Sequence, residues 1–448
     1  MNTTTIKFQY AFLCILCASA VSLICNAAAN AQSRQVPAPP QSEPVVLMAT
    51  TIHPVTGPVI DNGYVIFDKG VITAIGSGQA PSVPGAVKHN ASGMHVYPGL
   101  IAAQSNLGLV EVEAVDVTLD YSELGRVKPE VRAAVAVNPD SDLIPVARAA
   151  GVLTALSLPS GGLVSGRCSL LRLDGWTWEN LAVEPELGLV INWPRTEPFV
   201  SRFNPVPEDE QRKQIKEDLE AIDKLFDDAQ AYINARDADS KVETDLRFEA
   251  MRPALKGEKP VFIRANMAGQ IESAVAWVNR RGLKIIIVGG AQADQMTDLL
   301  KQHNVPDIIS GTHRVPLRRQ DAYDQPYSLP ARLHEAGVTF CIATDGGASN
   351  LRNLAHQAAT AAAYGLPQDE ALKAITLYPA RILGVERTFG SIEVGKSATL
   401  ILTTGDPLDI RNDVLVAFID GRKIDLGSRH KSLYEKYREK YRQLGLVK

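Results

Sequence analysis

An α/β architecture is the fold class predicted by this sequence: a (β/α)8 barrel of the TIM type, joined to a small composite β-sandwich domain that draws on both ends of the chain. Three observations point to it. Short apolar runs alternate with helical stretches through the middle of the chain, over roughly the 250 residues that such a barrel occupies. Short strands punctuated by turn residues come before that region, and strands of the same style return after it. The length of 448 residues, 45% of them hydrophobic, is ample for a sizeable core. An open, doubly wound sheet would show the same alternation and remains the structural alternative.

The first segment, residues 1–31, reads as an export signal. Lys7 supplies a weak positive start, Phe8 to Ile24 is apolar but interrupted, and Ala29-Asn30-Ala31 before Gln32 forms an A-x-A cleavage pattern. Cleavage after Ala31 makes the protein exported, periplasmic or extracellular; a retained anchor helix is the alternative. Lys7 is the only charged side chain in the signal, so its removal changes the formal net charge from −4 to −5. Such a balance lacks the basic excess that nucleic-acid binding requires. Cys14, Cys17 and Cys25 leave with the signal. Cys168 and Cys341 remain, and two cysteines do not make a disulfide scaffold. Cys341 lies in an apolar run and reads as a buried free thiol.

Residues 32–44, rich in Pro, Gln and Ser, read as a linker. Residues 45–98 form the first part of the β domain. Val45 to Ala49 is a strand, and Tyr64 to Phe67 and Val71 to Ile75 flank Asp68-Lys69-Gly70 as a hairpin. Residues 99–388 carry the barrel, with strands expected at 152–157, 187–191, 261–263, 284–288, 308–310 and 338–343. Helices are expected over 271–280 and 294–303. Two insertions interrupt the rhythm: the carboxylate-rich Glu111 to Ser141, and Pro207 to Lys256, whose charges read as a solvated helix face. Residues 389–426 supply the second part of the β domain, and 427–448 form a basic amphipathic helix read as a packed cap, with membrane or partner binding as the alternative.

Three stretches carry a resemblance. Val96 to Gly108 has the cadence of a first barrel strand reading PGLIDAHxHLG. Ala343-Thr344-Asp345-Gly346-Gly347 and Glu370 to Gly384 look like a last barrel strand and a helix ending in T-x-NPA. Gly390 to Leu400 matches G-x-I-x-x-G-K-x-A-D-L, with Tyr378 and Thr399 as small departures. Together they resemble the amidohydrolase superfamily, most closely its imidazolonepropionase-like members. The resemblance implies a (β/α)8 barrel, a site at the C-terminal ends of its strands, and metal-dependent hydrolysis of carbon–nitrogen bonds in non-peptide or cyclic amides. Zinc or another divalent metal is the cofactor it implies.

The residues that should hold that metal are not those the resemblance calls for. Gln104 and Asn106 stand where the paired histidines would be, and amides are poor zinc ligands. The fifth-strand region offers Arg264 and Asn266 where histidine is usual, and a guanidinium cannot ligate a metal. The next strand ends in Gly289-Gly290. Asp345 matches the aspartate that binds metal or acts as general base, and it is the one ligand retained; a structural carboxylate is the competing reading. His313, after the seventh strand, could face the pocket. No metal is assigned from these residues. Asp345 left without a cation would be costly inside a barrel mouth, so Arg264 is expected to point at Asp345 or its neighbourhood, with Gln104 and Asn106 bonding nearby. The Gly-rich run Leu158 to Arg167 reads as a tight loop, with a backbone-lined loop at the pocket mouth as the alternative, and Trp176 and Trp178 read as packing residues. Two functions remain: a divergent exported hydrolase, or a non-catalytic pseudoenzyme that binds a small molecule and forms a homodimer or pairs with an intact paralogue.

Overall fold

The computed structural model describes residues 35–447. The export signal and the start of the linker lie outside the described residues. Those residues form two eight-stranded sheets. The first sheet opens with β1 (Val45–Ile52), β2 (Ile60–Asp68), β3 (Val71–Ser77), β4 (Val87–Asn90) and β5 (His95–Pro98). The second contains β6 (Leu100–Ser105), β7 (Val152–Ser157), β8 (Val164–Arg172), β9 (Ala182–Asn192), β10 (Val261–Ala265), β11 (Ile285–Gly289), β12 (Asp307–Ile309) and β13 (Phe340–Ile342). β14 (Leu400–Thr403), β15 (Val414–Ile419) and β16 (Arg422–Lys423) then complete the first.

The two ends of the chain do meet. β5 pairs antiparallel with β14, so the order is β16-β15-β14-β5-β1-β2-β3. What the sequence suggested as a sandwich is, in hydrogen-bonding terms, one sheet that forks at β1. Residues 45–48 of β1 pair with β4 and residues 51–52 with β5. Between them Ala49 has a φ of 58°, and a residue there breaks the ladder and turns the strand from one partner to the other. The β2–β3 hairpin closes through Lys69 and Gly70, both at positive φ, as a two-residue turn matching strand twist requires.

The second sheet is a nearly closed barrel. Strand alternation sorts its side chains into two sets. Ile101, Leu156, Cys168, Val190, Phe262, Val288, Ile308 and Cys341 fill the interior, and Phe389 plugs one end. The alternate residues, such as Ile191, Ile263, Ile287 and Ile309, pack against the surrounding helices. β13 and β6 are joined through an intervening backbone: Ile342 N–H donates to Ala374 O and Ile101 N–H to Ile375 O, each at 2.9 Å. One strand departs from strict βα order. β8 runs antiparallel to both β7 and β9, so strands 7 to 9 connect without a crossover helix, apart from one turn at Trp178–Leu181.

The expected insertions take different forms. Helices Glu208–Ala238 and Leu246–Leu255 fill the second; Ile222, Phe226, Ala229 and Ile233 form the buried stripe of the longer one, and the rest of its surface is charged. The terminal helix Arg429–Gln443, expected as a packed cap, buries none of its residues. Its run of Lys, Arg and Glu offers too little apolar surface for burial. Trp176 is likewise exposed, not packed.

Candidate functional site

A cleft of about 380 Å³ opens at the C-terminal ends of β6, β7, β10 and β13, a size suited to a small molecule. Its wall includes Gln104, Asn106, Glu113, Tyr121, Leu158, Ser160, Arg264, Asp345 and Gly347. Each element delivers its residues for a local reason. The register between β6 and β7 shifts between Ala102 and Ser105, and past that shift both Gln104 and Asn106 reach the cleft. Alternation along β10 puts Arg264 on the interior face, two residues beyond Phe262. The segment after β6 folds back over the mouth: Ser160 N–H donates to Tyr121 O at 2.7 Å and Lys128 N–H to Val164 O at 3.0 Å.

Gln104 and Asn106 are held by their carbonyl ends. Gln104 Oε1 accepts from Ser310 Oγ at 2.6 Å, and Asn106 Oδ1 accepts from Ala348 N–H at 2.7 Å. Asn106 N–H also donates to Gly346 O at 2.9 Å, which ties β6 to the loop after β13. Asp345 is exposed at the rim and satisfied locally: Oδ1 accepts from Gly347 N–H at 3.1 Å and Oδ2 from Asn350 Nδ2 at 2.8 Å. Glu113, from the first insertion, borders the same Gly347.

Arg264 shares the cleft with Asp345 but does not pair with it, contrary to the sequence expectation. Its Nη2 donates to Pro159 O at 3.1 Å, and it forms no ion pair among the described residues. Asp345 has its own donors on its own loop, so it does not need the guanidinium. Burial lowers the Arg264 pKa, with no carboxylate offsetting the effect.

Two expected residues lie elsewhere. Asn266 is exposed beyond β10, with Oδ1 against Gly289, and does not line the cleft. His313 is also exposed: the chain turns outward at Gly311, whose φ is 79°, and the imidazole Nε2 meets Thr360 Oγ1 at 2.8 Å. Glu113, Tyr121 and Ser160 were missed. The carboxylate-rich insertion and the Gly-rich run were the signals available, since both follow barrel strands.

A divalent metal does not fit this donor set. Among the described residues no group of three or more His, Cys, Asp or Glu side chains could hold one. Two amides and two exposed rim carboxylates, of which Asp345 is satisfied by its own loop, do not supply the converging imidazoles and carboxylates a tight zinc site needs, and a guanidinium repels a cation. The cleft interior presents N–H donors, and its rim presents carboxylates.

Comparisons with known proteins agree with the fold. Residues 296–427 match the family model described as the amidohydrolase family. A protein named amidohydrolase tasK, from Hapsidospora irregularis, is 24% identical over 395 residues, covering 80% of this chain. This chain spans only 39% of that protein's length. The crystal structure of an amidohydrolase from Thermotoga maritima MSB8 superposes with a TM-score of 0.75 at 26% identity, covering 85% of this chain and 99% of that one. A prolidase complexed with N-methylphosphonate-L-proline gives a TM-score of 0.53 at 14% identity, with 85% and 99% covered, and is alike in fold alone.

Proposed function

We propose that this chain, which belongs to the amidohydrolase superfamily of hydrolases, is a divergent member that binds a small polar molecule at its barrel mouth without a catalytic divalent metal. One observation carries this reading: the metal-facing positions hold Gln104, Asn106 and Arg264, which are donors of N–H groups and not ligands for a cation. The cleft keeps the position and size of a barrel active site while its chemistry has changed sign, from metal-holding to anion- and carbonyl-holding. Export of the mature chain, and assembly as a homodimer or with a metal-competent paralogue, belong to the same proposal.

A second reading keeps hydrolysis of a carbon–nitrogen bond. Asp345 and Glu113 both border Gly347 at the rim, and an exposed carboxylate there can take a proton from an attacking water. Both readings are separated by a thermal-shift panel of small amides, lactams and organic acids, run with and without EDTA, alongside an assay for released amine. Ligand-induced stabilisation that EDTA leaves unchanged, with no amine released, is expected. Amine release restored by zinc after EDTA treatment would favour the second reading and end the first.

A further inference from the structure

Among the described residues, Arg264 is the one cationic side chain in the wall of the cleft. The other shielded arginines have carboxylates to face. Arg148 meets Asp174 at 2.6 Å, and Arg167 pairs with Glu186. Arg314 makes no ion pair among the described residues, and its Nη1 and Nη2 are buried without a partner, but it lies within electrostatic reach of three aspartates, Asp307, Asp321 and Asp294. Arg264 has a carbonyl, Pro159 O, and nothing else: Nε is cut off from solvent with no partner, and Nη1 makes no hydrogen bond. Nη1, unlike Nε, stays open to the cleft, so this largely shielded guanidinium keeps one donor edge free to meet a ligand there.

Its surroundings say what would. Asn106 already accepts at its carbonyl end, and so does Gln104, so each presents its amide NH2 as the unengaged group. Three donor groups therefore line one small cleft with a full positive charge among them. The rim is of opposite character, with Asp345 and Glu113 both close to Gly347. Donors within favour an anion; carboxylates at the entrance disfavour a dianion such as phosphate. A planar carboxylate with two acceptor oxygens matches the guanidinium fork.

We infer that the cleft takes a small organic monocarboxylate, anchored through its carboxylate by Arg264 and bonded by the amides of Gln104 and Asn106. The inference rests on the reading of the mouth as a metal-free ligand site. It makes Arg264 a residue kept for binding at a cost to the stability of the ligand-free chain.

The test uses the full chain, stripped of metal by EDTA, with acetate, benzoate and N-acetylglycine as probes against acetamide, benzamide and N-acetylglycinamide. Affinities come from calorimetry. At least one acid is expected to bind roughly tenfold or more tightly than its amide, because charge-assisted hydrogen bonds are about twice as strong as neutral ones. Arg264→Gln should bring that ratio close to one, and Arg264→Lys should keep part of it. A second readout guards against misfolding: ligand-free Arg264→Gln should melt no lower than the wild-type chain, whereas an arginine that holds the barrel together would melt lower when replaced. Equal binding of acids and amides, no binding by any of the acids, or an unchanged ratio in Arg264→Gln would overturn the inference. Binding that appears only when zinc is added back to the stripped chain would overturn the metal-free reading instead, so the two failures are distinct.

Discussion

Asp307 carries an expectation that can be worked through from the structure. It begins β12 on the face that packs outward, the same face as Ile309, and is wholly buried. Neither carboxylate oxygen has a hydrogen-bond partner, and they press against the backbone of Gly290. Burial raises its pKa from 3.8 to about 8, with Arg314 pulling weakly the other way. The folded chain therefore holds a proton that the unfolded chain has lost. Stability from this group is complete below the unfolded value of 3.8 and is lost as pH rises towards and through about 8. A span of roughly four pH units at about 1.4 kcal/mol each gives a loss on the order of 5 kcal/mol, a large part of a typical domain's stability. Asp307→Asn keeps the shape and removes the ionisation. Urea denaturation of both chains at about pH 5.5 and about pH 8 should show the asparagine variant ahead at both, with its lead growing by about 3 kcal/mol between them. A lead that does not change with pH, or a variant less stable at pH 8, would refute the reasoning and show Asp307 ionised and paired.

Other expectations follow from buried polar groups. Asp174 accepts from Arg148 at 2.6 Å, Arg422 at 2.8 Å and Ala38 N–H at 3.1 Å, so it links both ends of the chain to the barrel. Asp174→Ala should cost about 3–5 kcal/mol in a denaturant melt, since it strands two guanidinium groups; a loss under about 1 kcal/mol would contradict this. His53 lies 2.9 Å from His95, ring nitrogen to ring nitrogen, and burial followed by the His95 charge lowers its pKa from 6.5 to about 4. Its folded value lies below its unfolded one, so its share of stability is intact above about pH 6.5 and is lost as pH falls through about 4. An NMR titration that finds His53 protonated at pH 6 would contradict that. Cys168 and Cys341 are free and buried in the barrel interior, where desolvation pushes both thiols up in pKa. Neither should react with a thiol reagent until the chain is unfolded, and labelling of either in the folded chain would count against the interior packing.

Much of the fold was legible because burial imposes simple periods on sequence. β7 coincides with its apolar run, and β9 to β13 sit on theirs within a few residues. The hairpin at Lys69-Gly70 was legible because a glycine stands between two apolar runs, and the second residue of such a turn takes the positive φ that glycine adopts without cost. β8 was not, since Gly161, Gly162 and Gly166 at positive φ make its start look like a loop, and nothing local announces an antiparallel strand inside a barrel. At the site, Gln104, Asn106, Arg264 and Asp345 were legible by position, and they do share one cleft. The expected pairing of Arg264 with Asp345 does not form, because Asn350 and Gly347 lie on the same loop as Asp345 and satisfy it first. Glu113, Tyr121 and Ser160 come from loops, whose return to the mouth depends on long-range backbone bonds that no local pattern encodes.

This barrel mouth presents N–H donors where a cation would otherwise sit. The direct measurement is the metal content of the full chain after EDTA treatment, zinc add-back and desalting. Well under one equivalent of zinc per chain is expected, with no difference between the wild-type chain and Asp345→Ala. One equivalent retained by the wild-type chain and lost in Asp345→Ala would contradict it.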